Sequence, residues 1–246
     1  MFLTCFKAEL VKLAHAPIWA AFILLPAASA AIGCANYLQN LDMLGGGWAD
    51  LWTQQTLFIC YFFLPPLLGV GCSYLWRLEH TGSNWNELMV QPVGRASIVI
   101  GKFLVGAILA AVSFMSITVL YLISGLVIGV PGPLPVATIA LYIGLGFVGS
   151  LAIVAIQLFL SMVIRNFAVP VGIALALGVI GLLASMAGSG YVFPYSLMQS
   201  GMNSNTLVDL SLPNIVQIVY MSVFYVVVFI GIAAVWLRKR DIVAQA

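Results

Sequence analysis

Six stretches of this chain are each apolar for about 20 residues or more, the length at which a helix crosses the hydrocarbon of a bilayer. They run Pro17 to Leu38, Leu51 to Trp76, Ala96 to Val130, Leu134 to Ile164, Phe167 to Ala187 and Asn214 to Leu237. Their apolar residues are continuous and do not alternate with polar ones, which predicts helices and not the strands of a barrel. The third and fourth stretches exceed what a bilayer needs, so those helices should tilt or reach into water. Composition closes off a water-soluble fold: 63% of the 246 residues are hydrophobic and 7% are charged, too few polar side chains to cover a wet surface. A cleaved signal peptide is not expected, because the first run begins late, is longer than a signal core and lacks a small-residue cleavage site. The expected fold is an all-α polytopic membrane protein with six transmembrane helices, one domain over residues 1–246.

The formal net charge is +2, and no basic cluster marks a soluble face, so nucleic acid is excluded as a partner. Where the basic residues fall is more informative. Lys7 and Lys12 precede the first run, Arg77, Arg95 and Lys102 flank the second connection, Arg165 lies in the fourth, and Arg238, Lys239 and Arg240 follow the sixth. With six spans all of these fall on one side. The connections at Leu41 to Asp50, Pro131 to Pro135 and Gly188 to Pro213 hold no Lys or Arg, only Asp42, Asp50 and Asp209. The positive-inside rule then puts both termini and residues 77–95 in the cytoplasm.

Three segments outside the spans carry patterns of their own. In residues 1–16, Phe2, Phe6, Leu10 and Leu13 share one helical face while Lys7 and Lys12 lie elsewhere, the pattern of an interfacial helix on the inner leaflet before Pro17 turns the chain into the membrane. A plain extension of the first span is the competing reading. In residues 77–95, Asn84 is a helix-capping residue with Glu87 three positions later, Gly82 can end the helix before it and Pro92 ends the new one. A short amphipathic helix, Trp85 to Gln91, should therefore lie on the cytoplasmic face and present Trp85, Leu88 and Met89 as an exposed apolar tip rimmed by charge. Such a tip with an aromatic anchor is what a protein-binding knob looks like, and anchoring of Trp85 among lipid headgroups competes with it. Residues 188–213 are too long for a tight turn and half apolar, with Tyr191, Val192, Phe193, Tyr195, Leu197 and Met198. They predict short re-entrant or interfacial helices covering the outer face.

Signatures of catalysis are missing. Gly101-Lys102 is followed by Phe103 and has no glycine five residues before it, so it is no P-loop, and neither HExxH nor GxSxG occurs. His15 and His80 sit at the cytoplasmic edge without a catalytic partner, and Glu79-His80 offers a metal only two ligands. Cys5, Cys34, Cys60 and Cys72 form no CxxC and read as small packing residues. Neither a cofactor nor an enzymatic activity is expected in this chain. Every Asp, Glu, Lys and Arg falls at an interface in this reading, not at mid-membrane where ion-coupled carriers place them. Gln54, Gln55, Gln157, Gln217 and Tyr121 are expected to hydrogen-bond between helices. Pro65-Pro66 should bend the second span, Gly144, Gly146 and Gly149 allow close approach, and Gly125 with Gly129 forms a small-xxx-small pair suited to packing against another subunit.

The run FFLPPLLGVGCSYLWRLEHTGSNWNELMVQPVGRASIVIGKFL, Phe62 to Leu104, resembles the corresponding region of the ABC-2-type permeases. In that superfamily the second helix ends in an acidic residue, here Glu79, a short coupling helix follows, and a Pro-x-x-Arg and then a Lys open the third helix, here Pro92, Arg95 and Lys102. A finer likeness joins LWTQQTLFICYFFLPPLLG with EHTGSNWNELMVQPVGR to the lantibiotic-immunity permeases. The resemblance implies a type V exporter-like permease with an N-terminal interfacial helix, a cytoplasmic coupling helix and external re-entrant helices, in a bacterial cytoplasmic membrane. It implies two copies of an ABC ATPase, which would bind ATP and Mg, and a second permease, identical or homologous. Glu79, Asn84, Trp85, Glu87, Leu88, Met89 and Arg95 would form the contact with the ATPase. The cargo implied is a hydrophobic, membrane-active lantibiotic-type peptide, met from the outer leaflet; a general ABC-2 exporter of drugs or lipids and a membrane scaffold without transport are the alternatives.

Overall fold

The computed structural model describes residues 2–14, 16–81, 85, 93–204 and 209–239. Among them the regular structure is helical throughout: α1 (Phe2–Ala14), α2 (Ile18–Gln39), α3 (Trp48–Phe58), a π-helical turn (Ile59–Phe63), α4 (Leu64–His80), α5 (Arg95–Ile128), α6 (Val136–Val163), α7 (Ala168–Met186), the short α8 (Ser196–Gly201) and α9 (Leu212–Lys239). Six spans among the described residues are long and apolar enough to cross a membrane: Ile18–Gln39, Trp48–His80, Arg95–Ile128, Val136–Val163, Ala168–Met186 and Leu212–Arg238. Each coincides with one of the six apolar stretches. α5, at 34 residues, is about 51 Å long, well beyond the roughly 30 Å of hydrocarbon, so its ends project past the apolar slab.

The second span is longer at both ends than apolarity alone predicts. At its start, the Asp50 side chain accepts a hydrogen bond from Gly47 N at 3.0 Å, which occupies an otherwise orphaned amide and fixes where the helix begins. In its middle, Pro65 and Pro66 have no N–H to offer the carbonyls of Tyr61 and Phe62. The π turn absorbs that gap, and α7 crosses the same place at Gly178, where a Cβ would stand 2.7 Å from Tyr61 O. At its end Arg77 to His80, three of them polar, remain helical, with Glu79 held from outside the helix as described below.

The core is aromatic. Trp52 lies edge-on to Tyr121 with centroids 5.1 Å apart and donates its indole N–H to Met202 O at 2.8 Å. Trp48 meets Tyr121 at 5.6 Å and fills the space left by Gly125, where a Cβ would come within 2.2 Å of its ring. Gly129 ends α5 with φ +74, a left-handed conformation that glycine adopts without strain. The Gly125 and Gly129 pair therefore serves the chain's own packing and helix termination, which corrects its reading as a subunit-packing motif.

Residues 188–204 fold back into the bundle. Gly149 lies 13 residues from the start of α6, about 20 Å along it, and a Cβ there would meet Met198 N at 2.6 Å. α8 thus sits deep against α6, with its backbone in contact at Gly149. The polar groups of this segment find internal partners. Gln157 Nε2 donates to Tyr195 Oη at 2.6 Å, Ser204 Oγ donates to Tyr61 Oη at 3.2 Å, and Gln199 Nε2 donates to Gly178 O at 3.0 Å. Gln54 and Gln55 also bond between helices, Gln54 accepting from Asn36 and Gln55 donating to Ser124. Tyr121 Oη donates to Trp48 O at 2.8 Å. Gln217 departs from expectation: it is exposed on α9 and makes no bond to another helix among the described residues.

Candidate functional site

The apolar stripe of α1 sets the site. Phe6, Leu10 and Leu13 turn inward as their helical spacing predicts, and the remaining position of that stripe is Glu9. A carboxylate carried into a packed interface needs cations around it. Glu9 is 5% exposed and meets two.

The first is Lys102, two turns into α5 and fully buried. Its Nζ donates to Glu9 Oε2 at 2.8 Å, to Glu79 Oε1 at 2.9 Å and to Leu75 O at 2.6 Å. Those three bonds use all three donors of an ammonium. The same nitrogen sits 4.7 Å from the centroid of the Trp76 ring, within cation–π range. The second cation is Lys12, one turn after Glu9 on α1, which donates to Glu9 Oε1 and to Glu79 Oε1, each at 2.9 Å. Glu79, 2% exposed, therefore accepts from both lysines through one oxygen. Its other oxygen has no hydrogen-bond partner among the described residues.

Two carboxylates and two ammonium groups make a neutral quartet that ties α1, the end of α4 and the start of α5 to one another. Burial pulls the Lys12 ammonium toward deprotonation, yet the charges of Glu79 and Glu9 and their hydrogen bonds outweigh that and hold its pKa above the usual lysine value. Lys12 stays charged through the physiological range.

Lys102 and its two carboxylates lie near the helix ends but are enclosed by protein. Glu79 and Lys102 were singled out by the family pattern; Glu9 was missed. The signal was present in α1, where Phe6, Glu9, Leu10 and Leu13 follow i, i+3, i+4, i+7, so an acid occupies a stripe position.

Trp85 is the described residue at the centre of the second connection. It stacks on Trp76 with centroids 5.3 Å apart and 16° between planes, and its Nε1 donates to His80 Nδ1 at 3.2 Å. Since His80 Nδ1 accepts, its Nε2 carries the proton and donates to Ser161 O at 2.8 Å, the neutral tautomer. Trp85 is 5% exposed, so its expected place on an exposed tip is corrected. Trp76 and His80, one turn apart on α4, form a slot that takes the indole and satisfies its N–H, which water at a knob's surface would do without the packing. Arg95 is exposed at the first position of α5. Asn84, Glu87, Leu88 and Met89 lie outside the described residues, as does most of the helix expected from Trp85 to Gln91.

Around the slot, Ser73, Arg77, His80, Ser161, Arg165 and Phe167 line a cavity of about 320 Å³, with the Arg77 guanidinium 5.9 Å above the Phe167 ring.

Residues 5–181 match the family described as ABC-2 family transporter protein. That is well over half of the chain and spans α1, the quartet, the Trp85 slot and five of the six crossing helices. The chain belongs to the ABC-2 transporter permeases: it is a transport subunit of the multi-pass cytoplasmic-membrane kind that works with an ABC ATPase. No curated protein gives a match to the chain.

Proposed function

We propose that this permease is the membrane half of an exporter that removes a lantibiotic-type peptide from the membrane, giving resistance to it. In this reading both termini and the quartet face the cytoplasm, in accord with the placement of Lys and Arg. α1 lies as an interfacial helix, residues 77–95 are the coupling segment, and residues 188–213 form the external re-entrant cover. Two ATPase copies hold ATP and Mg, with no nucleotide or cofactor in this chain, and a second permease, identical or homologous, completes the pair.

One observation carries the coupling role. Trp85, in the middle of the segment, stacks on Trp76, and Trp76 lies beneath the Lys102 ammonium that binds Glu9 and Glu79. Displacement of the segment therefore acts on a packed joint among three helices and not on a floppy loop, and packed joints of this kind switch between discrete arrangements. Glu79 and Trp85 would serve as the inner anchors. Asn84, Glu87, Leu88, Met89 and Arg95 would supply the cap and the contacts made with the ATPase.

The peptide cargo rests on the likeness of Leu51 to Lys102 to lantibiotic-immunity permeases. Export of drugs or lipids by a general ABC-2 transporter is the second reading, and a scaffold without transport the third. Affinity purification of the wild type from native membranes should recover an ABC ATPase by mass spectrometry. Trp85→Ala with Glu87→Ala should lower that recovery while leaving the permease in the membrane. Recovery unaffected by the pair would remove the coupling role, and cells lacking the permease but unchanged in lantibiotic sensitivity would remove the cargo.

A further inference from the structure

The cavity of about 320 Å³ lies where α4 and α6 end and α7 begins. Its buried floor is already partnered: Ser73 and Ser161 share a hydrogen bond at 3.1 Å, and His80 Nε2 donates to Ser161 O at 2.8 Å. Its exposed rim, Arg77, Arg165 and Asn166, has donors to spare. The Arg77 guanidinium has its contact with the Phe167 ring but makes no hydrogen bond or ion pair among the described residues. Asn166 Oδ1 accepts from Ala168 N at 2.8 Å, which leaves the two N–H donors of that amide unspent. Arg165 adds a second guanidinium, whose five N–H groups exceed what one partner takes up. The described lining thus holds two full cations and no carboxylate.

Such a rim selects an anion, and the guanidinium fork fits the paired oxygens of a phosphate or carboxylate through two parallel bonds. The surroundings choose an amphiphilic one. Val163, Phe167 and Val169, at the end of α6 and the start of α7, are 39%, 37% and 44% exposed, so apolar surface borders the cations. The volume sits at the low end of ligand pockets: it takes a headgroup and leaves acyl chains outside, against those apolar side chains. The placement of Lys and Arg puts this end of the bundle in the cytoplasm. Anionic phospholipids are the amphiphilic anions of that leaflet, and basic pockets between spans on that side suit their headgroups. A choline headgroup brings a cation that the described lining has no carboxylate to pair.

We propose that this cavity binds the phosphodiester headgroup of an anionic phospholipid of the cytoplasmic leaflet, with the phosphate oxygens on Arg77, Arg165 and Asn166 Nδ2. The proposal uses the cytoplasmic placement of this end and is independent of the cargo. The probe is dioctanoyl phosphatidylglycerol, titrated onto the full chain in detergent and counted by native mass spectrometry, with no ATPase present. Arg77→Met keeps the apolar stem, and Asn166→Asp keeps the acceptor for Ala168 N while bringing a carboxylate to the rim. Each should weaken binding about tenfold, the loss of a charge-assisted contact, and Arg77→Lys, which keeps the charge without the fork, should lose less. Both positions are exposed, so the melting temperature should hold. Arg238→Gln, at an exposed cation that does not line the cavity, should leave binding unchanged. Dioctanoyl phosphatidylcholine should bind about tenfold more weakly than the probe, and glycerol 3-phosphate, which lacks the chains, should compete only at far higher concentration. Equal binding of the two lipids, or an equal loss in Arg238→Gln and Arg77→Met, overturns the site. Competition by glycerol 3-phosphate at the lipid's own concentration overturns the lipid as its source. Lipid binding unchanged in Arg77→Met, with ATPase recovery from native membranes lowered, overturns the proposal and gives the arginine to the ATPase contact.

Discussion

The two ends of this bundle solve the burial of polar groups in opposite ways. At one end, Glu9, Lys12, Glu79 and Lys102 form a neutral quartet of full charges in which the ammonium of Lys102 has every donor used. At the other, residues 188–204 are held by amides, hydroxyls and carbonyls, and the buried Gln199 Oε1 has no partner among the described residues. Charges desolvated in a packed site are costly when mismatched, so they permit one arrangement of their three helices; such a pair adds little net stability over an apolar replacement and mainly fixes register. Neutral groups cost less when one partner is absent, so the second end tolerates an acceptor without a partner among the described residues. The difference suits a single fixed arrangement at the charged end and a looser polar packing at the other.

That comparison breaks most readily at Lys102. Lys102→Met leaves Glu9 and Glu79 facing each other with only Lys12 between them, and should cost about 3–5 kcal/mol, seen as a large fall in melting temperature in detergent. Neutralising all three, Glu9→Gln with Glu79→Gln and Lys102→Met, should recover part of that loss. A triple variant worse than the single would show that the ions themselves stabilise the fold.

At the other end the weak point is steric. Gly149→Ala places a methyl 2.6 Å from Met198 N, a backbone atom that cannot step aside, and should cost about 1–3 kcal/mol, the range for overpacking. Its melting curve should respond while that of Gly144→Ala, where nothing lies within 4 Å, does not.

The smallest effect belongs to Lys12, whose side chain is 35% exposed; Lys12→Met should cost about 0.5 kcal/mol once solvent screening is allowed for. Because its pKa is raised in the fold, this contribution is complete below the unfolded lysine value of about 10.4 and vanishes as pH rises through the folded value. The melting-temperature gap between wild type and Lys12→Met should be constant from neutral pH to about pH 10 and close above it.

Apolar length made the six spans legible, and helical spacing made the inward face of α1 legible at Phe6, Leu10 and Leu13. The ends of the second span were less so, because they depend on Asp50 reaching Gly47 N and on Glu79 being held from α1 and α5. Which charges meet is a tertiary fact: Glu9 and Lys102 are 93 residues apart, and no local pattern pairs them. The family pattern picked out Glu79 and Lys102, and their ion pair supplies a physical reason for that spacing. Trp85 was read for its chemistry alone; its burial depends on Trp76 and His80, spaced i, i+4 as a slot.

The claim beneath all of this is that the quartet, and not lipid, fastens α1 to the bundle. A 13-residue helix is marginal alone in water, so hydrogen exchange of its backbone amides reports the docking directly. In nanodiscs, the amides of α1 in the wild type should be protected together with the first turns of α5, and Lys102→Met should lower α1 protection by about 100-fold, the equivalent of roughly 3 kcal/mol. Protection of α1 unchanged in Lys102→Met would contradict the account and leave the membrane surface as what holds the helix.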